Sequence, residues 1–257
     1  MEKINLQHYS DCIRFANDCK YGKVYPLSIS QLYQQGDIFA KTKTEFKTVL
    51  FWHYSGFAFV SGEYDESFLE FIYDMILNKY RKNNRRFILI NDDECIINYF
   101  RQKDNIEIER RYFFEYDNQN YNESLDLPNN CKIRVIDTEL ISKIKGRITP
   151  YFSWNTKEDF ISKGKGYCVV INDTVAAWAF SSAISSEEID IGIETNENYR
   201  GMGFATIASK AMIKYILNEN KTPVWACHSQ NTASAKLAEK IGFKRINECS
   251  IIKNKKA

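Results

Sequence analysis

Tyr199-Arg200-Gly201-Met202-Gly203-Phe204-Ala205 is the stretch on which the fold turns. It follows Glu188-Ile189-Asp190-Ile191-Gly192-Ile193-Glu194-Thr195, whose alternation predicts a β-strand. It precedes a helical pattern over 205–217. Strand, glycine turn and helix form a context that can hold phosphates. Gly201 and Gly203 let backbone approach a ligand where a Cβ would obstruct it. The free N–H groups of the next helical turn, with the helix dipole, favour a bound anion. Arg200 adds a positive charge at the entrance. The spacing is not G-x-x-x-x-G-K-[ST], and the third glycine of a dinucleotide fingerprint is missing.

Downstream, Pro223-Val224-Trp225-Ala226-Cys227-His228 reads as a strand. Asn231-Thr232-Ala233-Ser234-Ala235-Lys236-Leu237-Ala238-Glu239-Lys240-Ile241 then reads as a helix, closed by Gly242 at C′ and followed by a last strand from Phe243. These two motifs carry a resemblance. Arg200-x-x-Gly203-x-Ala205 is similar to the [Q/R]-x-x-G-x-[G/A] pyrophosphate loop of GNAT-superfamily N-acetyltransferases. The Asn-led helix ending in Gly242-Phe243 is similar to that superfamily's second signature. The layout of the whole chain resembles the zwittermicin A resistance type of GNAT protein.

The resemblance covers residues 131–252. It implies an α+β (α/β) class, with a C-terminal GNAT acyl-CoA N-acyltransferase fold. That fold is a mixed, mostly antiparallel sheet flanked by helices, in the order β-α-α-β-β-β-α-β-α-β. The elements fit it: a strand over 132–136, and a helix over 139–145 capped by Asp137 or Thr138. An aromatic loop over 149–155, a helix begun by Thr156, a hairpin turning at Asn172-Asp173 and the strand over 188–195 follow.

The first half has its own series. Residues 11–19 and 30–33 suggest short helices, with Pro26 and Gly36 as breaks. Strands are expected over 48–54, 57–60, 87–90 and 106–116. An amphipathic helix is expected over 66–82, and another, capped by Asp92 or Asp93, runs on to 102. The series over 57–116 parallels that over 188–252 at a displacement of about 137 residues, which suggests a duplicated half. Its counterpart loop, Ser61-Gly62-Glu63-Tyr64-Asp65-Glu66-Ser67, carries three acids and no paired glycines, so it should repel a pyrophosphate. Residues 117–130 are polar and read as a linker. The expected division is therefore 1–125, a non-catalytic, degenerate GNAT-like half, and 126–257, the acetyltransferase domain.

The resemblance implies acetyl-CoA as acetyl donor and the amine of a small molecule, an antibiotic or a metabolite, as acceptor. The coenzyme's pyrophosphate would lie on Arg200, Gly201, Met202, Gly203, Phe204 and Ala205. Its pantetheine arm would lie along Ile193, Glu194 and Thr195, and a backbone N–H of that strand would meet the oxyanion. Asn231, with Ser234 three positions on, would serve both the helix start and the coenzyme. For the base, Glu188 and Asp190 are candidates, and Glu194 sits closer to the pantetheine. The family often has a tyrosine as acid seven residues after the leading Asn; here that residue is Ala238. His228, its neighbour Cys227, a water molecule or an unassisted thiolate remain as alternatives. Tyr151, Phe152 and Trp154 would border the acceptor or pack in the core.

Composition bounds the rest. The 257 residues are 44% hydrophobic and 26% charged, enough for a sizeable core in one or two domains. A net charge of +2 with no long basic run argues against nucleic acid. Seven scattered cysteines without C-x-x-C, and three histidines, indicate neither a disulfide framework nor a metal site. No signal peptide and no membrane span is read, so a reduced, cytoplasmic protein is expected. A homodimer is left open. Two other functions are compatible with the residues: a non-catalytic GNAT-fold protein that holds coenzyme A or a drug, and an aminoacyl-transferase of the peptidoglycan type.

Overall fold

In the computed structural model, which describes residues 1–42, 46–79, 85–117, 127–128 and 130–255, the chain forms two packing units. One comprises Met1–Phe113 with Asn247–Ala257, the other Phe114–Ile246. The stretch expected to be a linker lies largely outside the described residues.

The first unit contains β1 (Glu2–Lys3), α1 (Ile13–Asn17), α2 (Val24–Ser30), β2 (Gly36–Ala40), β3 (Thr48–His53), β4 (Phe57–Gly62), α3 (Glu66–Ile76), β5 (Ile88–Asn91) and α4 (Glu94–Arg101). It also holds most of β6 (Ile106–Tyr116) and the end of the last strand, β12 (Phe243–Asn254). Neighbouring strands from β1 to β4 run antiparallel, β4 and β5 run parallel, and β5 pairs antiparallel with β12. On α3 the apolar residues recur at helical spacing, and Phe68, Leu69, Ile72, Met75 and Ile76 are buried against Leu50, Trp52, Leu89 and Phe100. Each such side chain stabilises the fold by about 1.5–3 kcal/mol.

Four expectations need correction. The short helix expected over 30–33 does not form: Ser30 ends α2 and Leu32 takes a positive φ of 61°. The helix expected over 66–82 stops at Ile76, because Asn78 takes a left-handed conformation (φ 65°) and the N–H of Lys79 turns back to the carbonyl of Asp74. Pro26 does not break the chain: it lies in the first turn of α2, where a missing N–H costs no helical bond. Gly36 opens β2, where a Cβ would collide with Ile29 and the carbonyl of Trp52.

The second unit contains β7 (Cys131–Val135), α5 (Leu140–Lys143), α6 (Lys157–Lys163), β8 (Gly166–Ile171), β9 (Thr174–Ile184), β10 (Glu188–Thr195), α7 (Phe204–Asn218), β11 (Thr222–His228) and α8 (Thr232–Lys240), and β12 starts in it. The strands lie in the order β11-β10-β9-β8-β7, all antiparallel except for β10 and β11. Asn172 and Asp173, both at positive φ, make the tight turn of the β8–β9 hairpin. Helix α7 packs across β8, β9 and β10. Trp154, Phe160 and Phe180 form a buried ring cluster. The α+β class and the mixed, mostly antiparallel sheet match the reading of the sequence. No helix among the described residues is long and apolar enough to cross a membrane.

Candidate active site

Strands β10 and β11 pair in parallel at three positions, Glu188 with Thr222, Ile189 with Pro223 and Asp190 with Val224, and the ladder ends there. Strand β10 continues to Thr195 with its other edge on β9. The backbone of Ile191–Thr195 that faces β11 is therefore left without a strand partner, and an extended ligand can use it. Asp190 sits at the last rung and is 5% exposed; Glu188 is half-buried. The β9 ladder shifts register between Asp190 and Ile191, where β9 carries the extra residue Ser182. Glu188, Asp190, Gly192 and Glu194 alternate along β10 on the side of Phe180 and Trp178, which pair with Gly192 and Glu194.

The glycine loop follows directly. Gly201 and Gly203 take positive φ values of 79° and 81°, and nothing lies within 4 Å of a Cβ built on either. Gly203 is the N-cap of α7 and offers no capping side chain. The first backbone bond of the helix is from the Ile207 N–H to the Gly203 carbonyl, so the amides of Phe204, Ala205 and Thr206 have no intrahelical acceptor. The Phe204 ring is buried and meets Tyr199, which leaves only its backbone for a ligand. Met202 is exposed, and so is Arg200, whose guanidinium has no partner among the described residues. The result is an open helix start of the kind that can hold an anion.

The counterpart in the first unit is closed. Asp65 caps α3 with its own carboxylate, which accepts from the Phe68 N–H at 3.0 Å and from the Ser67 hydroxyl at 2.8 Å and pairs with Lys41. The bonds from Lys41, Ser67 and Phe68 hold its carboxyl low, at a pKa of about 2. The helix start of α3 thus already carries a carboxylate of its own.

At the start of α8, the Asn231 Oδ1 accepts from the Ser234 N–H at 3.1 Å, while its side-chain nitrogen has no partner among the described residues. The Ser234 hydroxyl accepts from the Trp225 indole at 3.2 Å. His228 ends β11, and its Nδ1 accepts from the Gln230 N–H at 3.1 Å, so in the neutral ring the proton is on Nε2. Ala238 is fully buried in α8 and carries no proton to give.

Glu194 is engaged by the segment that leads to Tyr151. Its Oε2 accepts from the Ile148 N–H at 2.6 Å, and the indole of its cross-strand partner Trp178 donates to the Ile148 carbonyl at 2.8 Å. A Cβ at Gly146 would strike that carboxylate, so glycine is required there. This grip fixes the segment leading to Tyr151, which is exposed, and Phe152, which is half-buried. Trp154 is 2% exposed; its indole donates to the Ser181 carbonyl, and it supports the loop from behind. The sequence offered one sign of the grip, Gly146 between Lys145 and Arg147. Among the described residues no group of three metal-ligating side chains could hold an ion, and all seven cysteines are free thiols.

The sequence pattern of the GNAT acetyltransferase family matches residues 22–252. An uncharacterized N-acetyltransferase of Bacillus subtilis (strain 168), YdfB, is 27% identical over 98% of this chain and 97% of its own. A GCN5-related N-acetyltransferase-like protein from Streptococcus suis has a similar structure, with a TM-score of 0.76 and 20% identity over 97% of this chain and 100% of its own. A tandem GNAT protein from the clavulanic acid biosynthesis pathway shares the fold at a TM-score of 0.62 and 10% identity, over 97% of this chain and 94% of its own.

Proposed function

The chain belongs to the GNAT acetyltransferase family and is an acyltransferase, and we propose that it transfers an acetyl group from acetyl-CoA to the amine of a small molecule. The observation that carries this reading is the uncapped start of α7, with two glycines in open space and an unpaired arginine beside them. Anions bind at such helix starts. Bound acetyl-CoA would supply the activated acyl carbon.

The chain's own residues supply the rest. The amides of Phe204, Ala205 and Thr206, with Arg200, hold the pyrophosphate, and Met202 covers the loop. The free edge of Ile191–Thr195, with Ile193 at its centre, offers backbone donors and acceptors to the pantetheine arm. The free side-chain nitrogen of Asn231 adds a donor, while Ser234 stays in the capping pair. Asp190, at the point where the strands part, or Glu188, one strand repeat before it, accepts the proton of the ammonium, directly or through water. His228 can give a proton from Nε2; otherwise the leaving group takes one from water. Tyr151 and Phe152 border the acceptor. The free thiols fit a reducing, cytoplasmic setting.

Thiol release from acetyl-CoA, followed across a panel of primary and secondary amines, tests the reading. Release that depends on an amine supports it; no release with any amine speaks against it.

A further inference from the structure

We propose that the first unit binds a small organic ammonium compound in a cavity between the diverging ends of β4 and β5. This stands independently of the acetyl-transfer reading.

The cavity has a structural cause. Strands β4 and β5 pair in parallel only at Phe57 with Ile88 and at Ala58 with Leu89. Beyond those rungs β4 runs on to Gly62 and β5 to Asn91, and they no longer share a ladder. The space between them, about 260 Å³, is lined by both strand ends, by residues 18–21 and by the start of α4. It approaches the size of ordinary small-ligand sites, roughly 300–1,000 Å³.

Its lining offers a ligand a polar contact. Ser61 is 7% exposed and lines the cavity, yet its hydroxyl has no partner among the described residues. That hydroxyl opens onto the cavity, where a ligand atom can bond to it.

The charge fixes the ligand class. Asp18, Asp92 and Asp93 face the space against one cation, Lys20. Asp93 is occupied, accepting from the Tyr64 hydroxyl at 2.7 Å and capping α4 through the Cys95 N–H at 2.8 Å. Asp18 has no partner among the described residues. Asp92 pairs with the Lys20 ammonium at 3.2 Å, and that ammonium also lies 5.1 Å from the centre of the Tyr21 ring. The protein's own lysine, well exposed at the rim, thus marks where an ammonium is stabilised by a carboxylate and an aromatic face. A metal ion does not fit, since no three ligating side chains converge among the described residues. An anion does not fit either, because the acids outnumber the cation and Asp65 already caps α3. In the first unit, as at β10 and β11, two parallel strands part after a short ladder.

Calorimetric titration of the full chain with 1,4-diaminobutane tests this, with propionate as the anionic control. One diamine per chain should bind and propionate should not. Asp92→Asn should weaken binding about two- to fivefold, and Lys20→Ala should strengthen it by a similar factor by releasing Asp92. Both residues are exposed enough to change without loss of fold, which a thermal melt checks. Ser61→Val, which removes the hydroxyl and narrows the cavity, should weaken binding. The proposal is overturned if the diamine does not bind, if the Asp92 and Lys20 variants bind it as the unaltered chain does, or if only Asp190→Asn or Tyr151→Ala removes binding. That last pattern would place the diamine in the second unit. Coenzyme A titrated into the same samples reports on the acetyl-transfer reading separately.

Discussion

Glu194 and Trp178, opposite each other on β10 and β9, hold both backbone polar groups of Ile148, the N–H through the carboxylate and the carbonyl through the indole. A loop held at both groups of one residue cannot slide along the sheet. Glu194 therefore anchors the segment that leads to Tyr151. Glu194→Ala should leave the Ile148 N–H unpaired, at a cost of about 1–3 kcal/mol, and free the segment that carries Lys145 and Arg147. Tryptic cleavage after those two residues should rise in Glu194→Ala and return to the native rate in Glu194→Gln, which keeps an acceptor oxygen. Coenzyme A affinity should stay the same in both. Equal cleavage in all three proteins would refute the grip.

The capped start of α3 predicts one coenzyme A per chain, bound in the second unit. Asp65→Ala should lower stability by about 1 kcal/mol, as the loss of an N-cap does, and should not create a second site. Denaturant unfolding gives the first quantity and calorimetric stoichiometry the second. Two molecules bound to the native chain would contradict the closed reading of that loop.

Proton removal is the third point. A primary ammonium has a pKa near 10.4, so only about one molecule in 10³ is neutral at pH 7. If Asp190 or Glu188 raises the reactive fraction, its amide variant should lower kcat by about 10²–10⁴. The deficit should shrink as pH rises towards the acceptor's own pKa, since free amine needs no base. Coenzyme A affinity should hardly change. Unaltered rates at neutral pH in both Asp190→Asn and Glu188→Gln would exclude these carboxylates and leave His228 or water.

His53 predicts an acid-labile first unit. It is fully buried, and its Nδ1 accepts from the Ser55 N–H at 3.1 Å. Burial, helped by the Arg85 and Arg86 charges, lowers its pKa from 6.5 to about 3. Above pH 6.5 neither the folded nor the unfolded state takes up this proton. Below it the unfolded chain does and the folded one does not, so stability falls as pH drops from 6.5 towards 3. The slope from this residue approaches 1.4 kcal/mol per pH unit. Urea unfolding between pH 7 and 4.5 should show that slope reduced by about this amount in His53→Gln; parallel curves would disprove it.

The core of the second unit was legible because its signals are local. Alternation marked β10 from Glu188 to Thr195, two glycines marked the start of α7, and Asn231 marked the start of α8. Where a local sign has two meanings, sequence reading failed. Pro26 reads as a break but suits a first helical turn, and Gly36 reads as a break but answers to Ile29 pressing on β2. The grip of Glu194 was hidden because its partner lies 46 residues away, and only the folded chain brings them together. The return of 247–257 to the first unit is likewise a tertiary fact with no local sign. Sequence left Trp154 as either an acceptor contact or a core residue, since an aromatic loop residue looks the same whichever way it turns, and the structure packs it inside.

The most direct measurement is calorimetric titration of coenzyme A into the native chain and into Gly203→Glu. Position 203 opens into free space at the start of α7, so the new carboxylate would stand in the anion cradle. The account predicts one site in the native chain and affinity at least about 100-fold weaker in the variant, from charge repulsion and the strain of a side chain at positive φ. Arg200→Ala should weaken binding more modestly, by about 1–3 kcal/mol. A Gly203→Glu protein that keeps its fold by circular dichroism and binds coenzyme A as the native chain does would contradict the account.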